Sequence, residues 1–186
     1  MYLKPLSFFF AACFFFLTSC GDDNGDTADT SSDKQDEKTE TVSYDNMEEA
    51  TLDEHGFPFI MMLPDEETAK GIPEFNVTGT GDLEIKVGSG FHIRIADFPG
   101  DIEALKVDLE NDLLFTHTIE EETDNLVIYR SELPDGSKEF YHFYMNIEID
   151  GIEYVIEDVK SGEFKRKHID QMIHAVKSIE HFEEEM

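Results

Sequence analysis

Apolar and polar residues alternate along two short stretches in the middle of the chain, which is typical of β-strands with one buried face. In 82–87 (DLEIKV) and in 90–97 (GFHIRIAD), every second residue is apolar. The glycines between the two stretches predict a turn that joins them as a hairpin. Further strands are expected at 57–63, 115–121 and 125–132.

The clearest local pattern is a long hairpin over 138–158 (KEFYHFYMNIEIDGIEYVIED). Asp150-Gly151 at its centre is a favoured two-residue turn, and such a turn fixes which residues of the two strands face each other. On one face of the hairpin this register predicts three apolar pairs, Met145–Ile156, Ile147–Tyr154 and Ile149–Ile152. On the other face it places Glu148 opposite Glu153, an unfavourable pair of like charges.

Two stretches have the apolar spacing of amphipathic helices. In 101–114 the apolar residues fall on one stripe, and Asp101 is a suitable N-cap. The second stretch, about 165–181, closes the chain. Hairpin-linked strands with two such helices predict an α+β fold, in which an internal helix and a C-terminal helix pack on an antiparallel sheet. We place this domain at 55–186.

The N-terminal segment 1–19 has the pattern of a secretory signal peptide. Its apolar stretch covers 12 residues, which is short for a helix of about 20 residues that spans a bilayer. The stretch ends in "LTSC", which resembles the lipobox of bacterial lipoproteins. The resemblance implies cleavage before Cys20 and attachment of palmitate-type acyl chains to this cysteine as a membrane anchor. An ordinary cleaved signal and a transmembrane anchor are the alternatives.

Residues 20–54 form an acidic segment, with 13 acidic residues and two lysines within 21–54. Because apolar residues are scarce there, we expect a disordered tether behind the lipidated cysteine. "GDDNGD" after Cys20 resembles the acidic export signal of surface-displayed lipoproteins in some Gram-negative bacteria, and a generic acidic spacer is the alternative. "DTA" resembles an O-glycosylation signal of the same group, which makes Thr27 a candidate glycosylation site. We expect a cell-envelope protein anchored to the outer membrane, facing either the periplasm or the cell surface.

The net charge of −29 limits the partners that the protein can have. No basic stripe is available to neutralise phosphates, so we expect no nucleic-acid partner. Lys165, Arg166 and Lys167 form the one basic cluster of the domain, at the start of the last helix, where cations oppose the helix dipole. The cluster is either a candidate docking patch or is paired with the domain's own acids.

The second face of the long hairpin carries Phe140, His142 and Tyr144 in a row. Either a helix covers this row, or the row is exposed and forms a candidate binding face. The expected partner of such a face is a protein or a small ligand of the cell envelope.

Candidate chemistry is sparse along the chain. Three of the seven histidines, His168, His174 and His181, lie on the last helix without the four-residue spacing of a helical metal pair. No Gly-x-Ser-x-Gly motif is present. With 43 acidic residues, a close pair such as Glu148 and Glu153 is weak evidence for glycoside chemistry. We therefore expect no metal, no cofactor and no catalytic residues.

The order of the elements and the closing helix (KRKHIDQMIHAVKSIEHF) resemble the PsbP/DcrB-like class of exported α+β domains, over residues 56–182. The resemblance implies an accessory or assembly role without catalysis. We expect a non-enzymatic accessory or binding module, and the alternative is an envelope hydrolase or other enzyme whose site assembles from dispersed residues. A cleft with converging polar groups would favour the enzyme, whereas a flat face with exposed aromatic residues would favour binding.

Overall fold

The computed structural model describes residues 43–182. The predicted signal peptide, Cys20, Thr27 and the first part of the predicted tether lie outside this range. Within the range, the chain forms antiparallel sheets with three α-helices, which confirms the predicted α+β class. None of the described helices is long and apolar enough to cross a membrane.

Seven strands form the main sheet, and all neighbours in it are antiparallel. Their spatial order is β3-β4-β5-β9-β8-β7-β6. Their bounds are β3 Pro73–Val77, β4 Leu83–Val87, β5 Phe91–Ala96, β6 Thr116–Glu122, β7 Leu126–Glu132, β8 Glu139–Ile149 and β9 Ile152–Asp158. A second, three-stranded sheet consists of β1 Met47–Thr51, β2 Phe59–Pro64 and β10 Glu180–His181.

Three α-helices and one short 3-10 helix connect the strands. The helix α2 (Ile102–Glu110) lies between β5 and β6, and α3 (Arg166–Val176) follows β9. The single-turn helix α1 (Glu66–Ala69) follows β2, and the 3-10 helix Asp53–His55 precedes it. Asp101 caps α2 as predicted, because its side chain accepts a hydrogen bond from the backbone N–H of Ala104 at 2.9 Å.

The long hairpin has the predicted register. Ile149 pairs with Ile152, Ile147 with Tyr154 and Met145 with Ile156, and Glu148 faces Glu153. Asp150 and Gly151 both have positive φ, at 53° and 78°, as a type I′ turn requires. The two strands of this hairpin lie in the middle of the main sheet, so their register fixes which side chains each face of the sheet presents.

One face of the main sheet forms the larger core. Alternating residues of β4 and β5 that are apolar and fully buried pack there against α3 and against β2 of the small sheet. The stripe of α3 that faces this core consists of Ile169, Met172, Ile173, Ala175 and Val176. Burial of this one-sided stripe explains why a helix of 11 residues is stable in the fold.

The other face of the main sheet carries a smaller core under α2. Leu105 of the helix packs there against Val127, Tyr144 and Val155 of three neighbouring strands. The backbone N–H of Asp101 donates to the hydroxyl oxygen of Tyr144 at 3.1 Å, which ties the start of α2 to β8. The sheet is thus covered on both faces, but α2 is short and covers its face only in part.

The structure corrects three predicted boundaries. The tether was expected to extend to residue 54, but β1 pairs with β2 along its whole length and Leu52 is fully buried. Apolar residues are so sparse in this stretch that composition alone predicted disorder, whereas strand pairing incorporates it into the fold. The last helix ends at Val176 instead of residue 181, because the chain turns at Ser178 to pair β10 with β2. The internal helix ends at Glu110 instead of residue 114.

Two glycines at hairpin turns provide a test of the packing. Gly88 and Gly151 both have positive φ, at 58° and 78°, so alanine at either position costs about 1–2 kcal/mol of backbone strain. At Gly88 an added Cβ would also overlap the carbonyl oxygen of Ala69, whereas at Gly151 it would meet nothing within 4 Å. We expect Gly88→Ala to lower the free energy of unfolding by a further amount of about 1–3 kcal/mol relative to Gly151→Ala. Urea denaturation measures both, and equal losses would contradict the packing of the β4–β5 turn against α1.

Candidate functional site

A cleft of about 460 Å³ lies on the second face of the main sheet, beside the part that α2 covers. One wall is formed by α2 and the loop that follows it, and the other by the loop after β9. The strands β6, β7 and β8 form the floor. The side chains that reach the cleft from the floor are His117, Tyr129, Ser131, Phe140 and His142.

Three polar side chains at the floor form a continuous hydrogen-bonded chain. His117 Nδ1 lies 2.8 Å from Ser131 Oγ, and His117 Nε2 lies 3.0 Å from Asp112 Oδ2. His117 and Ser131 face each other directly across the β6–β7 pair, which explains why they meet. Ser131 is 3% exposed, so its hydroxyl group lies at the bottom of the cleft and not at its rim.

The environment of Asp112 determines which ring nitrogen of His117 carries the proton. Its Oδ1 accepts hydrogen bonds from the backbone N–H groups of Leu114 at 2.7 Å and Phe115 at 3.1 Å. The Leu114 N–H, the His117 ring and the Phe115 N–H lower the pKa of Asp112 to about 2. Since an ionised carboxylate only accepts hydrogen bonds, His117 carries its proton on Nε2 in the neutral state. His117 Nδ1 then presents a lone pair to the Ser131 hydroxyl group.

A second histidine of the cleft is held by a buried carboxylate. His142 Nδ1 lies 2.7 Å from Asp158 Oδ2, and Asp158 Oδ1 accepts from the backbone N–H of Phe143 at 2.8 Å. Asp158 is 2% exposed, and it occupies the place where β9 leaves β8. Its carboxylate therefore replaces a strand partner for Phe143 and fixes the ring of His142.

Tyr129 lies between the two histidines. Its ring centroid is 5.7 Å from that of His117 and 5.0 Å from that of His142. Burial, together with the charges of Asp158 and Glu157, raises the pKa of Tyr129. Tyr129 therefore keeps its proton and provides a neutral hydroxyl group among the polar groups of the floor.

The cleft also has an apolar part, which includes side chains of α2. Leu105 and Leu109 of α2 line the cleft together with Phe115 and Phe140. The ring centroids of Phe115 and Phe140 are 6.0 Å apart in an edge-to-face arrangement. Lys138 and Lys160 lie at the rim, and Lys138 Nζ is 2.5 Å from Glu163 Oε1. Apolar side chains together with a small number of oriented polar groups are the usual composition of a small-molecule site.

The predicted binding face is not an exposed strip. Tyr144 is buried under α2 and His142 is buried against Asp158, whereas Phe140 is half-buried. Of the two alternatives for this row, the covering helix is the correct one at Tyr144, because α2 covers the strand at this point. His142 and Phe140 both line the cleft, so this row does mark part of the candidate site.

One of the three cations of the predicted docking patch, Arg166, is paired with the domain's own acids. Arg166 forms ion pairs with Glu120, Glu121 and Asp170. The contacts with Asp170 and Glu121 raise its pKa. Lys165 and Lys167 are exposed. A free cluster of three cations is therefore not what the structure presents.

The remaining histidines lie apart from one another, each with its own contacts. His168 Nδ1 accepts from the backbone N–H of Lys165 at 3.3 Å, and His174 Nε2 lies 3.0 Å from the Ser43 carbonyl oxygen. His181 Nδ1 is 2.6 Å from Asp150 Oδ2. Among the described residues, no group of three or more His, Cys, Asp or Glu side chains is placed to hold a metal ion.

The sequence pattern did not mark Asp112, His117, Ser131 or Asp158 as site residues. A regular hairpin around Asp124-Asn125 would place His117 opposite Glu132. A β-bulge between Ile119 and Glu121 shifts the pairing by one residue, so that His117 faces Ser131. The two strands were predicted, but the bulge has no glycine or other local signal in the sequence.

Asp158→Ala tests the buried carboxylate. The substitution leaves the Phe143 N–H and His142 Nδ1 without their partner, so we expect the free energy of unfolding to fall by about 3 kcal/mol. Glu163→Ala is the control, because it removes an ion pair to Lys138 in which both side chains are more than half exposed, and such pairs contribute little. Urea denaturation distinguishes the two, and equal small losses would show that Asp158 does not hold β8 and β9 together.

The chain was compared with models of protein families, with curated proteins and with solved structures, and none of the three comparisons found a match. The resemblance to the PsbP/DcrB-like class therefore stays a prediction.

Proposed function

We propose that the domain binds a small amphipathic ligand in the cleft between α2 and the main sheet. The observation that carries this proposal is the composition of the cleft, in which leucine and phenylalanine side chains lie beside oriented polar groups of the floor. A volume of about 460 Å³ falls within the range of small-molecule pockets, about 300–1,000 Å³. Phe115 and Phe140 would contact the apolar part of the ligand, and His142 would contact its polar part.

The charge around the cleft indicates which ligands fit. Asp108, Asp112 and Glu163 line it together with Lys138 and Lys160, so acids outnumber bases locally. The whole chain has a net charge of −29. Its field would repel anionic ligands, so the ligand that fits is neutral or cationic.

For the location of the protein we propose anchoring at the outer membrane through an acylated Cys20. "LTSC" at the end of a 12-residue apolar stretch supports the anchor, and the acidic segment after it supports export to the cell surface. An anchored module with a cleft would capture its ligand in the cell envelope, as an accessory protein does. A second candidate function is an envelope hydrolase, and the converging Asp112, His117 and Ser131 favour it.

Phe140→Ala tests ligand binding at the cleft. We expect the protein expressed from Gly21, without the acylated cysteine, to bind the neutral apolar dye Nile red with increased fluorescence. Loss of the Phe140 ring should weaken this binding about tenfold, which corresponds to about 1.4 kcal/mol of lost apolar contact. Phe75→Ala is the matched control, because Phe75 is also half-buried on a strand but lies on β3, away from the cleft. Equal affinities of the two variants would contradict binding at this cleft.

Cys20→Ala tests the anchor. If Cys20 is acylated, the full chain partitions into the detergent phase of Triton X-114, and Cys20→Ala moves it to the aqueous phase. Cys13→Ala is the control, because this cysteine lies inside the apolar stretch of the signal. Detergent partitioning of Cys20→Ala like that of the unsubstituted chain would show that the lipoprotein interpretation is wrong.

A further inference from the structure

We propose that the cleft is also a serine esterase site, with Ser131 as nucleophile, His117 as general base and Asp112 as the positioning residue. This inference rests on the proposed ligand cleft and adds a reaction to it. Its geometric basis is that the three side chains are joined by hydrogen bonds of 2.8 and 3.0 Å at the cleft floor. A nucleophile in contact with a base, which is itself oriented by a third group, is the arrangement that activates a serine.

The direction of each hydrogen bond favours proton removal from Ser131. Two backbone N–H groups and the His117 ring hold Asp112 as an acceptor, so His117 Nε2 is the donor. His117 Nδ1 is left as the acceptor for the Ser131 hydroxyl proton. The ring is inverted relative to the usual serine triad, in which Nε2 faces serine, but each nitrogen has the hydrogen-bond role that the reaction needs.

The surroundings of Ser131 fit a reaction that develops negative charge on an oxygen. Ser131 lies at the bottom of the cleft, where bulk water is largely excluded and hydrogen bonds to an oxyanion are stronger. Tyr129 lies in the same floor, and burial keeps its hydroxyl group protonated by raising its pKa. The Tyr129 hydroxyl group is therefore the candidate donor to the oxyanion.

The walls of the cleft define the class of substrate. The leucine and phenylalanine side chains that line the cleft would hold a short apolar acyl chain or an aromatic ring. The excess of acids around the cleft disfavours an anionic substrate. The substrate that fits is a small neutral carboxylic ester with an apolar acyl or aryl group.

The reaction needs only water as a second reactant. Ser131 Oγ forms a bond to the ester carbonyl carbon, and its proton moves to His117 Nδ1. The bond from carbon to the ester oxygen then breaks, and His117 returns the proton to the leaving alcohol. Water attacks the acyl-Ser131 ester in the same way, with His117 accepting and returning the proton, which releases the carboxylic acid and restores Ser131.

Covalent labelling of the unsubstituted full chain tests the nucleophile without any substitution. Diisopropyl fluorophosphate is small and neutral, and it reacts with activated serines by forming an Oγ–P bond and releasing fluoride. We expect peptide mass spectrometry to find the adduct on Ser131. Ser161 is the internal control, because it lines the same cleft and is exposed, but it has no histidine partner among the described side-chain hydrogen bonds. Absence of the adduct from Ser131, or equal labelling of Ser161, would overturn the proposal.

Hydrolysis of 4-nitrophenyl butyrate tests the roles of the three side chains. Ser131→Ala should abolish the hydrolysis above background. Ser89→Ala should leave it unchanged, because Ser89 is exposed on the turn between β4 and β5 and does not line the cleft. In Asp112→Asn the amide oxygen can still accept from the Leu114 and Phe115 N–H groups, so the amide NH₂ faces His117 and forces the proton onto Nδ1. We expect kcat to fall by about 10²-fold or more with KM unchanged, and thermal denaturation to show that the variant is folded.

The outcomes separate the esterase from the ligand cleft. If Asp112→Asn changes only the thermal stability, or if Ser131→Ala retains full hydrolysis, the esterase proposal is wrong. Nile red binding that depends on Phe140 would then still support the cleft. If Nile red binding does not depend on Phe140, the proposal that the cleft binds a ligand is itself wrong.

Discussion

The candidate site depends on the fact that α2 covers only part of the second face of the main sheet. Seven strands spaced about 4.8 Å apart make a sheet about 29 Å wide. The helix α2, at nine residues, is about 14 Å long, so it cannot cover this width. Tyr144 and Val155 are buried beneath it, in contact with Leu105 of the helix. The part of the face beyond the helix carries Ser131, His117 and His142 instead, and this part becomes the floor of the cleft.

The packing of the opposite face explains why the main sheet is stable although α2 leaves part of the second face uncovered. There α3 and the small sheet bury a continuous set of apolar side chains, including Ile85, Ile93 and Ile156. Most of the hydrophobic stabilisation therefore comes from one side of the sheet. The second side can carry polar groups as long as each is paired, as Asp158 is with His142 and the Phe143 N–H.

Charged contacts hold the edge strand β6 in place, and this strand carries His117, the proposed general base. Glu120 is the extra residue of the β-bulge, and both Arg130 and Arg166 form ion pairs with it, at 3.5 and 3.2 Å. Glu122 accepts from Lys106 of α2 at 2.9 Å. Surface ion pairs are individually weak, but two arginines on one carboxylate hold the bulge at a defined position. Arg166 thus follows the second of the two alternatives for the basic cluster, pairing with the domain's own acids, and it supports the strand that carries His117.

The sequence by itself determined the class of the fold and its central hairpin, because alternation and a two-residue turn are local signals that tertiary contacts did not override. The same alternation placed Phe140 and His142 together on the second face of the hairpin, as candidate binding residues. Tertiary structure alone decided the contact between His117 and Ser131, which needs a bulge that no turn residue marks. It also decided the position of Asp158. The carboxylate of Asp158 accepts a hydrogen bond from the backbone N–H of Phe143, which lies on the adjacent strand and 15 residues away in sequence. Such contacts depend on how strand edges and ion pairs pack together in three dimensions. The pattern of apolar and polar residues in one chain segment does not contain this information.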